Sequence, residues 1–396
     1  MKKIAVIFEG SLENITGVAN AVFNRVRHLQ SISDYTIDLY NVLSYPFGLT
    51  RFIYKPSKYA KEQTVEIDGM TVNILWRKDL LLDDIFNYKL HKKPLYLDRF
   101  LKQHVPLFSK YDIISAHAFV GAKLAYLIHK HYGTPFFVTW HGSEIHSLKP
   151  SWHYQISTTR KIMGKAECNF FVSKALSESA RVIVGDYKND ILYNGVSPIF
   201  RRFNEQERIL LRREYNVEGK KVVAFVGNLK PVKNVVSLPT IFDSIVMKYH
   251  QPVEFWIVGA GEERSKIEAL IADKLYHVKF WGYQKTELIP EIEQCVDVLL
   301  LPSNNEGLPL VLAEAISCGA NAVGSNVGGI PEVLGEEDSF ALDNNFVEKI
   351  SSRIVYYLNN KIEQPLKPDF SWERTAQKEK EYYDNVLVEK SSIAGK

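Results

Sequence analysis

The sequence predicts an α/β protein built from two doubly wound, Rossmann-like parallel-sheet domains facing across a cleft. Short β-branched runs alternate with helical periodicity along the whole chain, and the alternation breaks near Asn194–Phe203 and restarts after residue 220. The 396 residues are enough for two or three domains. Strand, helix, strand at this spacing requires crossover connections, which cover both faces of a parallel sheet with helices.

In the first half, strand Ile4–Phe8 precedes helix Val18–Leu29, Ile113–Ser115 precedes Ala122–His131, Phe136–Thr139 follows, and Asn169–Val172 precedes Lys174–Val184. The Asn194-Gly195 turn and Pro198 then interrupt the pattern, and a charged helix, Asn204–Tyr215, ends at a second break, Glu218-Gly219. The second half reads Val222–Val226, Val235–Tyr249, Val253–Val258, Arg264–Leu275, Val278–Trp281, Glu287–Gln294, Val298–Leu301 and Leu310–Cys318. The expected domains are 1–200 and 201–371, with a helix over about 372–390 joined to the first and a frayed end, Glu389–Lys396. Ligands of such sheets bind at the carboxyl ends of the strands.

Composition excludes several classes. With 46% hydrophobic and 24% charged residues the chain is not disordered or low in complexity. Its three cysteines, Cys168, Cys295 and Cys318, form neither a disulfide framework nor a C-x-x-C metal motif. The apolar run Ile4–Phe8 is too short for a signal peptide, and stretches such as Val298–Leu301 fall far below the roughly 20 residues that cross a bilayer. A cytoplasmic location is expected.

Charge is uneven: Lys and Arg number 25 against 17 Asp and Glu in residues 1–200, and 24 against 29 in residues 201–396. The basic half suits an anionic partner, although uneven surfaces are common. Residues 44–61 and Tyr88–Lys102 interleave aromatic and basic side chains, which fits peripheral contact at the inner face of a membrane or a loop covering the sheet. No recognition module for nucleic acid surrounds them.

The most informative segment runs from Leu301 to Ala315. A buried strand ends in a Pro302-Ser303-Asn304-Asn305 loop, and a helix is expected to begin near Leu308 or Pro309. Backbone N–H groups of Gly307 to Val311 would then form an anion site suited to a diphosphate. Glu306 precedes the helix and Glu314 lies about two turns along it. Carboxylates beside a phosphate site make sense against neutral hydroxyls, such as a ribose at one end and a hexose at the other. The bland alternative has Glu306 capping the helix and Glu314 at the surface.

Glu306-x7-Glu314, with Pro302-Ser303-x-x-Glu306-Gly307 before it and Gly328-Gly329-Ile330-Pro331-Glu332 after it, resembles the signature of the retaining glycosyltransferases of family 4, group 1, which have the GT-B fold. The resemblance spans nearly the whole chain: Gly17; Thr139-x-His141-Gly142-x-Glu144; Val172-Ser173; Asn194-Gly195-Val196; Gly227-x-Leu229-x-x-x-Lys233; Ile257-Val258-Gly259-x-Gly261; Gly282; and Phe370-Ser371-Trp372-Glu373.

The resemblance implies a hexosyltransferase that moves a sugar from a nucleotide-diphosphate donor, a UDP-hexose, to an acceptor hydroxyl in cell-surface polysaccharide or glycolipid synthesis. The acceptor is a saccharide, a lipid-linked or a small molecule. A nucleotide-sugar epimerase or a non-catalytic nucleotide-sugar binding protein of the same fold is the alternative. For the donor site it implies Gly307, Leu308, Pro309, Leu310 and Val311 on the diphosphate and sugar, Glu306 on sugar hydroxyls, Glu314 on the ribose and Lys233 on the diphosphate. Tyr283 and Gln284 lie near the base, Gly17 near the phosphates and His141 near the anomeric carbon.

Glu306, His141 and Lys233 are thus the catalytic candidates; a solvated lysine at a helix start is the bland reading of Lys233. Asn228 stands where the family usually has Arg, Thr16-Gly17 where it has paired glycine, Glu144 where it has Asp, and Asn234 where it has glycine. No Asp-x-Asp occurs, Asp83-Asp84 being adjacent, and the expectation is a metal-independent reaction without a cofactor. Gly259-Ala260-Gly261-Glu262-Glu263-Arg264 lacks the third glycine of a dinucleotide fingerprint and reads as a tight strand-to-helix turn. His117 is a rival cleft histidine, equally explained as a hydrogen-bonded residue at a strand end.

Overall fold

The computed structural model describes residues 1–12, 17–47, 59, 62–79, 83, 85, 86, 90, 92–366 and 370–394. Thr16, Asp84, Tyr88 and most of the aromatic, basic stretch 44–61 lie outside the described residues, and with them the membrane-contact reading. The chain forms two compact units, one of Met1–Asn194 with the chain from Trp372 onward, the other of Gly195–Ser371.

The first unit is organised by strands β1 (Lys3–Phe8), β2 (Thr36–Pro46), β3 (Thr64–Ile67), β4 (Met70–Asp79), β5 (Ile113–His117), β6 (Phe136–Trp140), β7 (Cys168–Phe171) and β8 (Asn189–Ile191). Among the described residues they make one sheet in the order β3-β4-β2-β1-β5-β6-β7-β8. Ile4–Phe8 is buried throughout, as a central parallel strand covered on both faces must be. Helix Val18–Ile32 buries Ala19, Val22, Phe23, Val26 and Leu29, one face at three- and four-residue spacing.

Two features depart from the expected pattern. β2, β8 and the hairpin of β3 and β4 are absent from the sequence reading, as are the last two strands of the second unit, Asn321–Ser325 and Ser339–Phe340, and β3 is antiparallel to β4 at the edge. Asp68 and Gly69, at φ 49° and 76°, make the tight turn between them, the left-handed pair that a two-residue hairpin requires. The carboxyl-terminal helix runs Trp372–Ala394, through the stretch expected to fray. Its Trp372, Ala376, Tyr383 and Leu387 are buried, and the last three belong to the core around β1 and helix Val18–Ile32.

The second unit holds β9 (Lys221–Val226), β10 (Val253–Val258), β11 (Val278–Gly282), β12 (Val298–Leu301), β13 (Asn321–Ser325) and β14 (Ser339–Phe340). All pair in parallel, in the order β11-β10-β9-β12-β13-β14. This is the doubly wound order whose direction reverses between the first and fourth strands, here β9 and β12. The charged helix at its start, Glu205–Glu214, opens on a capping box: Asn204 accepts from the Glu207 N–H and Glu207 accepts from the Asn204 N–H, both at 2.9 Å. Cys168, Cys295 and Cys318 are buried free thiols.

Candidate functional site

The reversal of strand order brings the loop after β9 against the loop after β12, which are far apart in sequence. Asn304 donates its backbone N–H to the Val232 carbonyl at 2.8 Å and its amide to the Pro231 carbonyl at 3.0 Å. Lys233 Nζ donates to Glu306 Oε1 at 2.6 Å, and Ser303 Oγ donates to the same oxygen at 2.6 Å. Glu306 is thereby fixed on both sides and caps nothing, because Pro309 is the cap residue and no side chain closes that helix.

Both loops rest on glycines of the next strand's loop. A Cβ on Gly259 would stand 1.9 Å from the Gly227 carbonyl oxygen, and one on Gly328 1.9 Å from that of Glu306. Gly261 and Gly329 approach Leu229 and Gly307 almost as closely. The Gly259-x-Gly261 turn therefore serves backbone-to-backbone packing, and Gly328-Gly329 seats the Glu306-Gly307 segment. Ser325, at the end of β13, adds a hydrogen bond to the Ser303 carbonyl.

The anion site is narrower than expected. The helix begins at Leu310, not at Leu308 or Pro309, and runs to Ser317. Pro309 has no N–H to offer, and the Leu310 N–H is turned back to the Leu308 carbonyl at 3.1 Å. Among the described residues, the backbone N–H groups of Gly307, Leu308 and Val311 donate to no protein acceptor. Three donors at the start of a helix remain a favourable setting for negative charge.

Glu314 lies one turn further in, and burial pushes its carboxyl up to about 7. Its neighbour is a residue the sequence reading missed. Glu293, in helix Ile289–Gln294, is completely buried, and the polar group beside its carboxyl is the Cys318 thiol, with no N–H or hydroxyl donor among the described residues. Burial, and then the nearby Glu314 charge, raise its carboxyl well above the usual range. Two carboxyls so placed cannot both ionise cheaply. No motif marks Glu293; only its position in an otherwise apolar helix face hints at it.

The remaining expected residues of this unit are more open. Asn228 is exposed, Tyr283 is 57% exposed, and the Gln284 amide is tied to the Trp281 carbonyl at 2.6 Å. Gly282 turns the chain before them at φ 67°.

In the first unit, Gly17 sits at φ 58° before helix Val18–Ile32, and a Cβ there would meet nothing within 4 Å. His117 ends β5 and His141 follows β6, adjacent strands in register His117 to Thr139. The two histidines, rivals in the sequence, are partners: His117 Nδ1 and His141 Nε2 share a hydrogen bond of 3.0 Å between stacked rings. Burial first, and then the charge of Arg25, push the His141 ring down to about 3 and the His117 ring well below its ordinary value. Glu144 accepts the His141 backbone N–H and so holds the turn after β6.

With this geometry in place, similarity to known proteins identifies the chain. The Glycosyltransferase Family 4 model matches residues 16–199 and the Glycosyl transferases group 1 model matches residues 207–377. The chain belongs to the family 4, group 1 glycosyltransferases. An uncharacterized glycosyltransferase of Methanocaldococcus jannaschii is 28% identical over 243 residues, 58% of this chain and 61% of the relative. Sucrose-phosphate synthase of Thermosynechococcus elongatus superposes with a TM-score of 0.75 at 16% identity, covering 98% of this chain and 100% of that one. HepE of Anabaena, solved in complex with UDP and glucose, gives 0.66 at 14% identity, covering 99% and 100%. The fold of this glycosyltransferase is GT-B.

Proposed function

We propose that this glycosyltransferase moves a hexose-type sugar from a nucleotide-diphosphate donor, UDP-hexose first, to an acceptor hydroxyl with retention at the anomeric carbon. One observation carries the reading: the free N–H groups of Gly307, Leu308 and Val311 stand beside a lysine and a carboxylate already locked together, Lys233 and Glu306. A diphosphate supplies the negative charge those N–H groups and Lys233 attract, and the sugar supplies hydroxyls for Glu306. Glu314 takes the ribose.

In the reaction the bond from the anomeric carbon to the β-phosphate oxygen breaks, and the bond from that carbon to the acceptor oxygen forms on the same face. The acceptor proton passes to the departing phosphate oxygen, so no covalent enzyme intermediate is needed. Lys233 and the helix N-terminus stabilise the charge that develops there. His141 keeps the role the resemblance implies, a ring against the transferred sugar. The donor is the substrate, and the reading needs no metal or cofactor. The acceptor is a saccharide, a lipid-linked or a small molecule of cell-surface glycoconjugate synthesis.

A thermal-shift screen of UDP-, GDP- and ADP-sugars tests the donor class, since a ligand at 100 times its dissociation constant stabilises by about 2.7 kcal/mol. The anomeric configuration of the product, read by proton coupling, tests retention. If no nucleotide sugar shifts the unfolding transition, the donor-site reading fails.

A further inference from the structure

Beneath the paired histidines of the first unit lies a column of buried polar groups that the reaction just described does not use. Arg25 is 1% exposed, an uncommon site for a guanidinium on an apolar helix face. Its Nε donates to Glu379 Oε2 at 3.0 Å and its Nη1 to Thr139 Oγ1 at 2.9 Å, while Nη2 is buried without a partner. Glu379 comes from the carboxyl-terminal helix and also accepts from the Tyr383 hydroxyl and, at 3.5 Å, from Ser115. Ser115 and Thr139 stand two residues before His117 and His141 on adjacent strands. Each histidine therefore shares a sheet face with the hydroxyl below it.

The column thus runs from Glu379 and Tyr383, through Arg25, Ser115 and Thr139, to the hydrogen-bonded rings at the strand ends. We propose that Arg25 is a positioning residue, anchored by the carboxyl-terminal helix, that keeps the His117–His141 pair uncharged so that His141 meets the sugar as a neutral hydrogen-bonding ring. The inference rests on the sugar-transfer reading for the role of His141, but the charge state of the pair does not.

The physical argument is one of sign. A pair of rings with one shared hydrogen bond, His117 buried and His141 half-buried, has a proton to spare only if one ring becomes an imidazolium, and a fixed guanidinium close by opposes that. Among the described residues, the charge that acts on both rings is Arg25 from helix Val18–Ile32, and the other titratable groups joined to this column are Glu144 from the turn after β6 and Glu379 with Tyr383 from the carboxyl-terminal helix. Glu144 is engaged with the His141 backbone, and Glu379 with Arg25 and Tyr383. A neutral ring also adds no positive charge beside a carbon that becomes cationic during transfer.

The test is nitrogen NMR of the two imidazoles in the ligand-free full-length protein, from pH 4.5 to 8.5. Both rings are expected to stay neutral throughout in the wild type. Arg25→Met alone would strand Glu379, so the informative variant is Arg25→Met with Glu379→Gln. This removes both charges, and the His141 ring is expected to titrate about two units higher, from about 3 to near 5, inside the range scanned. Glu379→Gln alone keeps the guanidinium and is expected to leave the rings neutral. An acid limb near pH 5 in kcat should accompany the double variant only, at unchanged KM for the donor. Rings that titrate near 6.5 in the wild type, or a double variant whose rings titrate as in the wild type, would overturn the proposal. Absence of sugar transfer with normal ring behaviour would instead sink the proposed function.

Discussion

Lys233 and Glu306, 73 residues apart in the chain, form a 2.6 Å ion pair between the loops that follow β9 and β12. The two side chains proposed to meet the donor are thus already partnered with each other. A diphosphate must draw Lys233 from a carboxylate, and part of its binding energy goes to that exchange. Lys233→Ala is expected to weaken UDP binding at least tenfold, in keeping with about 1.5–3 kcal/mol for a hydrogen bond to a charged group. Glu306→Gln separates the roles: titration calorimetry should find UDP bound as tightly as before or tighter, while transfer falls on the order of 100-fold or more. Equal loss of binding and transfer in Glu306→Gln would show that the carboxylate is needed for the nucleotide and not for the sugar.

Glycine substitutions probe how the two loops are seated. Gly328→Ala places a Cβ 1.9 Å from the Glu306 carbonyl oxygen and must displace backbone. A loss of about 1–3 kcal/mol in stability is expected, as for other overpacked sites, together with loss of UDP binding. Gly17→Ala meets open space and pays only for its positive φ, about 1 kcal/mol. Chemical denaturation of both variants checks the contrast; equal costs would mean that the close approach of Gly328 to Glu306 is not what its position requires.

The paired carboxyls of buried Glu293 and half-buried Glu314 give the second unit a pH signature. Glu314 is raised to about 7 and Glu293 well above its ordinary value, so the folded protein holds protons that the unfolded chain releases near 4.5. Stability is therefore expected to fall as pH rises from about 5 through 7, because the native state binds the extra protons. Glu293→Gln copies the protonated acid and should raise the midpoint at pH 8 while changing little at pH 5. A midpoint lowered equally at both pH values would argue that Glu293 is ionised in the native state.

Asn228 offers a gain-of-function test. It is exposed in the loop that carries Lys233, where the family resemblance implies an arginine. Asn228→Arg is expected to raise kcat/KM for the preferred donor tenfold or more, since a preorganised cation at a leaving diphosphate is worth ~3–4 kcal/mol at best. Steady-state kinetics with the donor found in the screen would measure it; an unchanged kcat/KM would mean that Lys233 and the helix N-terminus already supply what the leaving group needs.

Much of the architecture was legible because it is local. Continuous apolar runs such as Ile4–Phe8 and Val298–Leu301 read as parallel strands buried on both faces, and the charged helix expected over Asn204–Tyr215 is present as Glu205–Glu214. β2 escaped because its burial pattern, with Tyr40, Asn41, Ser44 and Tyr45 among the apolar residues, keeps no simple period. The hairpin of β3 and β4 left one usable sign, Asp68-Gly69, which went unread. Spacing marks Gly307 to Val311 as the anion loop, but only the folded backbone shows that the Leu310 N–H is turned back to the Leu308 carbonyl.

The sequence by itself determined two units of alternating strands and helices, the ends of their central parallel strands and the loops where chemistry collects, because β-branched runs, helical periods and glycine turns act over a few residues. Only the tertiary structure decided which groups meet. It tied Lys233 to Glu306, brought Glu293 near Glu314, paired His117 with His141 and joined Arg25 to Glu379 across 354 residues. Such pairings depend on strand order and on the exclusion of water around buried charge, and neither is written in any short stretch of the chain.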